Sequence, residues 1–264
     1  TNIFSTDGAF AALKSDGSVV AWGSSSKGGT DPGLTSGVVK IFSNRHAFAA
    51  LKGDGSVKAW GDSSWGGTDP GLTSGVVKIF STRQAFAALK TDGSVQAWGS
   101  SGYGGTGAPT DSGYVDIFSN THVFVGLKSD GSIHPWGQSF HGGCKSGGAA
   151  YTGNDPTTWG WTCAPNALPG VTKVVSTMYA FAALKSDGSV NAWGRSKAGG
   201  TDPGLTSGVT NIFSNDEAFA ALKTDGSVQV WGESCCGGND PGITSGVVDI
   251  VGTQKAFAAL KDDG

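Results

Sequence analysis

The sequence predicts an all-β fold, a seven-bladed β-propeller built from repeats of about 38 residues. The segment AFAALKSDGSVVAWG, residues 9–23, returns with few changes from residues 47, 85, 123, 180 and 218, and a last copy begins at residue 256. Successive copies start 38, 38, 38, 57, 38 and 38 residues apart, and a fixed period of this size is typical of a repeat architecture. Each complete copy also carries an Asp-Gly pair and a closing Trp-Gly pair at fixed places.

One repeat shows how a blade forms. Val38–Ser43 and Ala47–Lys52 are short runs rich in apolar residues, which predicts two strands. Asp54-Gly55 predicts a two-residue type I′ hairpin turn, and Ser56–Trp60 then forms a third strand antiparallel to the second. No segment shows helical periodicity over about ten residues. The 45 glycines of the 264 residues fall at fixed places in the repeats, which favours turns over disorder.

The number of blades follows from counting these strands. The first two strands occur seven times and the third six times, so we expect seven blades, the last one incomplete or completed from outside these residues. We predict one propeller domain over residues 1–264. The chain begins and ends inside a repeat, so we expect it to be a piece of a longer polypeptide. A fixed aromatic at a fixed strand position packs, so six tryptophans are predicted to be core wedges between blades: Trp22, Trp60, Trp98, Trp136, Trp193 and Trp231.

The pattern VVxIxS…AFAALKxDGSVxAWGxSxxGG resembles the repeat of the regulator of chromosome condensation family. Its shorter period is similar to that of the bacterial propeller-type β-lactamase inhibitor proteins, which share the fold. The resemblance covers the whole chain and implies a seven-bladed propeller. Members of the family include an exchange factor for a small GTPase, enzyme inhibitors and interaction domains, so the resemblance does not select a function.

Composition excludes several classes of function. A net charge of −3 with 15% charged residues gives no reason to expect nucleic acid or an acidic membrane surface as partner. No apolar run is long enough for a membrane span, and no signal peptide is present. Nucleophile, P-loop and metal-site motifs are also missing from the sequence. We therefore predict a protein that is not an enzyme and needs no cofactor or metal.

Differences between repeats are concentrated in two loops. Residues 9–46 and 47–84 differ at six of 38 positions, and four of these six lie in the triplet before the second strand or in the loop after Trp-Gly. The direction of the strands places both loops at one end of the propeller and the Asp-Gly turns at the other. Loop tips could differ because nothing constrains them, and some of their aromatics could pack against neighbouring loops.

Rare residue types favour a binding role for these loops over drift. Exposed aromatic, Met and Arg side chains are enriched in interface hot spots. We predict a face that binds a protein partner, formed by Lys27, Arg45, His46, Trp65, Arg83, Tyr103, His122, Phe140, His141, Met178 and Tyr179, and by Trp159 and Trp161 of an insertion.

The insertion lies in the fourth repeat, at residues 144–163. Cys144 follows a Gly-Gly pair, where other repeats have Thr30 or Thr68, and Cys163 precedes Gly170 by the spacing that separates Thr30 from Gly37. A cysteine at each edge of the same slot predicts a disulfide across the base of the insertion. Closing such a loop contributes about 3 kcal/mol to stability.

Cys235 and Cys236 are neighbours in one variable loop. They could form a vicinal disulfide, remain two free thiols, or contact a soft metal. Four cysteines that can all pair favour an oxidising compartment, either extracellular or the lumen of an organelle.

The sequence therefore favours a non-catalytic interaction propeller, and an accessory subunit of a larger assembly is one form of it. A lectin is the first alternative, although sugar sites should repeat with the blades and these loop residues do not. The second alternative is a regulator of an enzyme or a small GTPase, an inhibitor or an exchange factor.

Overall fold

The computed structural model describes residues 1–144, 160–165 and 168–263, and strands dominate this part of the chain. It divides into two compact units, residues 1–124 and 125–264. The prediction of one domain across residues 1–264 stays a prediction. None of the described helices is long and apolar enough to cross a membrane.

The first unit contains three complete sheets, each with its strands in chain order. Their strands are β1 (Asn2–Ser5), β2 (Ala9–Leu13), β3 (Val19–Gly23), β4 (Val38–Ser43), β5 (Ala47–Lys52), β6 (Val57–Gly61), β7 (Val76–Ser81), β8 (Ala85–Lys90) and β9 (Val95–Gly99). The fourth sheet contains the point of division. It comprises β10 (Tyr114–Ser119), β11 (Val123–Lys128) and β12 (Ile133–Gly137).

The second unit holds the remaining three sheets, formed by β13 (Trp161–Thr162), β14 (Val171–Ser176), β15 (Ala180–Lys185), β16 (Val190–Arg195), β17 (Val209–Ser214), β18 (Ala218–Lys223), β19 (Val228–Gly232), β20 (Val247–Gly252) and β21 (Phe257–Lys261). The fifth sheet has four strands in the order β13-β16-β15-β14. The last sheet has two strands in the described residues, as expected for an incomplete blade. A short 3₁₀ turn follows the third strand of each of the first six sheets.

In the second to sixth sheets the middle strand forms the core. In β5, the five residues from Ala47 to Leu51 are buried, and their small alanines leave room for the neighbouring sheet. The ring of Phe48 is fully buried and stacks on Trp60, with 5.2 Å between ring centroids. Full burial of a side chain of this size stabilises the fold by about 2–3 kcal/mol.

Consecutive sheets of the first unit are joined through the Gly-Gly pair that follows the 3₁₀ turn. The indole Nε1 of Trp60 donates a hydrogen bond to the carbonyl of Gly28 in the preceding repeat, at 3.0 Å. Gly28 has φ of +95°, and a Cβ there would lie 2.6 Å from the Phe48 ring. The pair is therefore part of the packing between blades.

The predicted role of the tryptophans as core wedges holds for most of them. Trp60, Trp98, Trp136 and Trp193 are buried, whereas Trp231 is half-buried. The prediction is wrong for Trp22, which is 44% exposed beside an exposed Phe10. The Trp22 ring stacks on Phe10, with 5.7 Å between ring centroids, and this aromatic pair lies at the surface instead of in the core.

The Asp-Gly turns differ in type from the prediction. Lys52 N–H donates to the Ser56 carbonyl and Gly55 N–H to the Lys52 carbonyl, each at 2.9 Å. The loop therefore has three residues, of which Gly55 has φ of +77°, and a two-residue type I′ turn is wrong. The reason lies in Asp54, whose carboxylate accepts from the Ser56 backbone N–H at 2.9 Å and from its hydroxyl at 2.6 Å.

Candidate interaction surface at the loop end of the blades

The triplet before each middle strand and the 3₁₀ turn after the third strand lie together, and we call this region the loop end of a sheet. The first residue of the triplet fixes the two segments to each other. In the second sheet the buried Asn44 donates from Nδ2 to the carbonyl of Trp65 at 2.7 Å, and its Oδ1 accepts from the backbone of His46 and Ala47. In the third sheet Thr82 donates to the carbonyl of Tyr103 at 2.8 Å.

Anchors of this kind are what sequence reasoning missed. The comparison of repeats predicts a triplet that varies at all three positions, yet its first residue is always Thr or Asn. That restriction was a readable signal, because both side chains can accept a backbone N–H and donate to a carbonyl at once. The first residue of the triplet is therefore part of the scaffold, and variation at the loop end is confined to the next two residues and to the turn.

Neighbouring triplets are held in register by backbone hydrogen bonds between their middle residues. In the first unit Asp7 N–H donates to the Arg45 carbonyl at 2.8 Å, and Arg83 N–H donates to the Thr121 carbonyl at 3.0 Å. In the second unit Met178 N–H donates to the Asp216 carbonyl at 2.8 Å. The side chains of these middle residues also interact, since Arg45 Nε forms an ion pair with the Asp7 carboxylate at 2.5 Å.

Most of the predicted binding aromatics of the first unit are half-buried in stacked pairs. His46 and Trp65 stack with 3.8 Å between ring centroids, and Tyr103 and His122 stack with 4.5 Å between theirs. The alternative that loop aromatics pack against neighbouring loops is thus confirmed for these four residues. The expectation that these four side chains are exposed is wrong, because each ring stacks on the ring of another loop residue.

The remaining predicted residues of the first unit differ in their exposure and contacts. Arg83 is exposed, and Arg45 is half-buried by its ion pair. The chain of Lys27 crosses Gly8, where a Cβ would lie 2.9 Å from the lysine Cδ. Thr6 also donates to the Lys27 carbonyl at 2.9 Å, so this turn is anchored like the others.

In the second unit a cluster forms around Tyr179. His141 lies 4.9 Å from the Tyr179 ring, and the Arg195 guanidinium lies 5.2 Å from it on a cation–π contact. Burial, and then the positive charge of Arg195, lower the pKa of His141 to about 4. The imidazole is therefore neutral near pH 7. Arg195 was not among the predicted site residues, although its rarity in the sequence and its place after Trp-Gly were signals for it.

Two of the predicted loop residues of the second unit present apolar surface. Phe140 is 44% exposed and Met178 is 37% exposed, and both lie at loop ends. Among the predicted loop residues these two fit the expectation of exposed apolar side chains.

The insertion is closed by the predicted disulfide. Cys144 and Cys163 are bonded, with 4.9 Å between their Cα atoms. The returning strand β13 then pairs with β16, so that Trp161 lies opposite Arg195 in the register. Thr162 adds a hydrogen bond to the carbonyl of Gly200 at 2.7 Å. Trp159 lies outside the described residues.

Cys235 and Cys236 are both free thiols, so the vicinal disulfide is not formed. Their Sγ atoms are 3.0 Å apart. Cys236 is buried, and its hydrogen bond with Cys235, together with burial and the nearby Glu217, raises its pKa to about 11. The thiol is therefore protonated near pH 7.

Solved structures place this architecture among known folds. No family model and no curated protein matches the chain. Prp20p from Saccharomyces cerevisiae, described with its binding to Gsp1p and histones, is 14% identical with a TM-score of 0.54, over 99% of this chain and 76% of that one. The structure of yeast RCC1 (Prp20) bound to Kap60 gives 15% identity and a TM-score of 0.55, over 99% and 81%.

A plant receptor shows the same likeness. The ectodomain of the Physcomitrella patens receptor kinase CR4 is 17% identical with a TM-score of 0.53, over 98% of this chain and 69% of that one. At these identities the likeness shows the fold. The predicted all-β propeller class is thereby confirmed, and so is the fold that the resemblance to the regulator of chromosome condensation family implied.

Proposed function

We propose that this chain is a non-catalytic interaction module that binds a protein partner through the loop ends of its blades. The observation that carries the proposal is the contrast within a sheet, where repeated Asp-Gly turns stand at one end and a different set of side chains stands at the other. An interface core needs apolar and arginine side chains on a rigid base. Phe140, Met178 and Arg83 supply such side chains, and the anchored triplets supply the base.

The stacked pairs have a supporting role in this proposal. His46 on Trp65 and His122 on Tyr103 fix the shape of the loop end of the first unit, because a stacked ring has few rotamers left to lose on binding. Their half-buried edges join the surface that we assign to the partner. In the second unit the cluster of His141, Tyr179 and Arg195 does the same.

Known propellers of this fold support a protein as the partner, since yeast Prp20 binds Gsp1p and histones and has been solved bound to Kap60. The proposed role includes membership of a larger assembly, and no nucleic acid or membrane insertion. The Cys144–Cys163 bond supports an oxidising location, which extracellular receptor ectodomains of the same fold also have. The lectin and the regulator of an enzyme or small GTPase stay predictions.

A capture experiment with matched variants tests the proposal. Phe140→Ala with Met178→Ala removes the exposed apolar side chains of the loop ends. Val115→Ala with Val248→Ala removes 51% and 54% exposed side chains that lie on first strands instead. Proteins retained by the wild type from its native source should be lost with the first pair and kept with the second, at equal thermal stability. Equal retention by both pairs contradicts the proposal.

A further inference from the structure

One loop end carries a set of donor atoms unlike the others. In the second sheet the third residue of the triplet and the third residue of the 3₁₀ turn, His46 and Trp65, face each other. The equivalent positions of the sixth sheet hold Glu217 and Cys236, and the turn adds Cys235 one residue earlier. The same packing that stacks two rings in one repeat therefore brings a carboxylate and two thiols together in another.

The three side chains converge on one point. One ligand atom from each of Glu217, Cys235 and Cys236 lies within 4.8 Å of the other two. The two Sγ atoms are 3.0 Å apart, and Cys236 Sγ is 3.8 Å from Glu217 Oε2. Around a tetrahedral Zn²⁺, with bonds of about 2.3 Å to sulfur and about 2.1 Å to oxygen, two sulfurs stand about 3.8 Å apart and a sulfur and an oxygen about 3.6 Å apart. Compared with that geometry, the observed sulfur–sulfur distance is about 0.8 Å shorter and the observed sulfur–oxygen distance is about 0.2 Å longer.

The backbone that carries these donors is fixed on both sides. Asn215 donates from Nδ2 to the carbonyl of Cys236 at 2.6 Å and accepts from the backbone N–H of Glu217 at 3.0 Å. Glu233 N–H donates to the Glu217 carbonyl at 3.0 Å, and Cys236 N–H donates to the Glu233 carbonyl at 3.0 Å. A site held in this way loses little conformational entropy when an ion binds.

Solvent access and ligand type also suit a cation. Cys236 is buried whereas Cys235 is exposed, so the cluster opens to solvent on one side. Two thiolates and one carboxylate make a mixed sulfur and oxygen set that suits Zn²⁺ and the softer ions of its class better than Mg²⁺ or Ca²⁺.

We propose that Glu217, Cys235 and Cys236 form a binding site for a thiophilic divalent cation of the Zn²⁺ class. Three protein ligands leave one coordination position open to water or to a ligand from a partner. The site belongs to the loop end of the sixth sheet but stands on its own donor atoms, so it does not depend on the proposed function.

Metal titration of the full chain tests the proposal. Zn²⁺ is titrated against a chromophoric chelator, with the Cys144–Cys163 bond checked by mass spectrometry, and Cd²⁺ is added separately to observe thiolate-to-metal charge transfer in the ultraviolet. We expect one Zn²⁺ per chain, with a charge-transfer band for Cd²⁺ and no competition from Mg²⁺. Because Cys235 is exposed, Cys235→Ser leaves the fold intact, and it should weaken binding at least about 100-fold, more than loss of an outer-shell partner does.

Two carboxylate variants separate coordination from general charge. Glu217→Gln should weaken Zn²⁺ binding about 10-fold or more. Glu233→Gln removes the same charge from the same loop end without removing a donor of the cluster, so it should leave binding unchanged. Equal affinity of the wild type and Cys235→Ser, or equal losses in the two carboxylate variants, would overturn the site. A Cys235–Cys236 disulfide in the isolated protein would overturn it as well.

Discussion

The two ends of each sheet are built by different rules. At the turn end, Asp54-Gly55 and its equivalents repeat with the same side-chain hydrogen bonds to the following serine. At the loop end, the backbone scheme repeats as strictly, but the side chains that it presents are an ion pair, stacked rings, a cation–π cluster or a pair of thiols. A repeat scaffold thus separates positions that build the blade from positions whose side chains are available for binding.

Substitution of a glycine at the turn end has the largest expected effect. A Cβ on Gly55, at φ of +77°, would lie 2.6 Å from the backbone N of Gly75, which cannot rotate away. Positive φ and the clash together should cost Gly55→Ala about 3 kcal/mol in free energy of unfolding, measured with urea. The matched control is Gly71→Ala, where φ is +70° and nothing lies within 4 Å of the Cβ, and its cost should be about 1 kcal/mol. Equal losses would refute the close packing of the turn end.

Loss of a loop-end anchor should have the next largest effect on stability. Asn44→Ala leaves the Trp65 carbonyl and the His46 and Ala47 amides without their partner, and should lower stability by about 2 kcal/mol. Asn44→Thr should recover most of that loss, because Thr82 makes the equivalent bond in the next repeat at 2.8 Å. Melting temperatures of the two variants check this. A threonine variant as unstable as the alanine one would show that Asn44 acts by another route.

The smallest expected effect on stability is its pH dependence, which differs between the loop end and the turn end. The folded pKa of His141 is about 4, below the ordinary value of 6.5, so the unfolded chain takes up the proton first. Stability should therefore fall as pH drops from about 6.5 to 4, by on the order of 1 kcal/mol because the imidazole is partly exposed, and His141→Gln should abolish that slope.

The turn end should respond at lower pH. Hydrogen bonds from Ser56 and its equivalents lower the pKa of the turn aspartates below 3.8, so their contribution is lost only as pH falls further. A slope between pH 6.5 and 4 that survives in His141→Gln would contradict the assignment of that window to the loop end.

Features that depend on spacing along the chain could be predicted from the sequence, whereas contacts that form only in the folded sheets could not. The 38-residue period, the strands and the Cys144–Cys163 bond depend on spacing, and they are confirmed. The turn type was missed because Asp54 bonds to Ser56 and adds one residue to the loop. The partners of Trp65 and Tyr103 could not be read from spacing, because one ring stacks within its own sheet and the other across to the next sheet.

The most direct test of the central claim is hydrogen–deuterium exchange of the chain with and without its captured partner. We expect slower exchange in peptides that contain the triplets and 3₁₀ turns, such as those around Phe140 and Met178, and no change around the Asp-Gly turns. Slower exchange at the Asp-Gly turns, with the loop-end peptides unchanged, would contradict it.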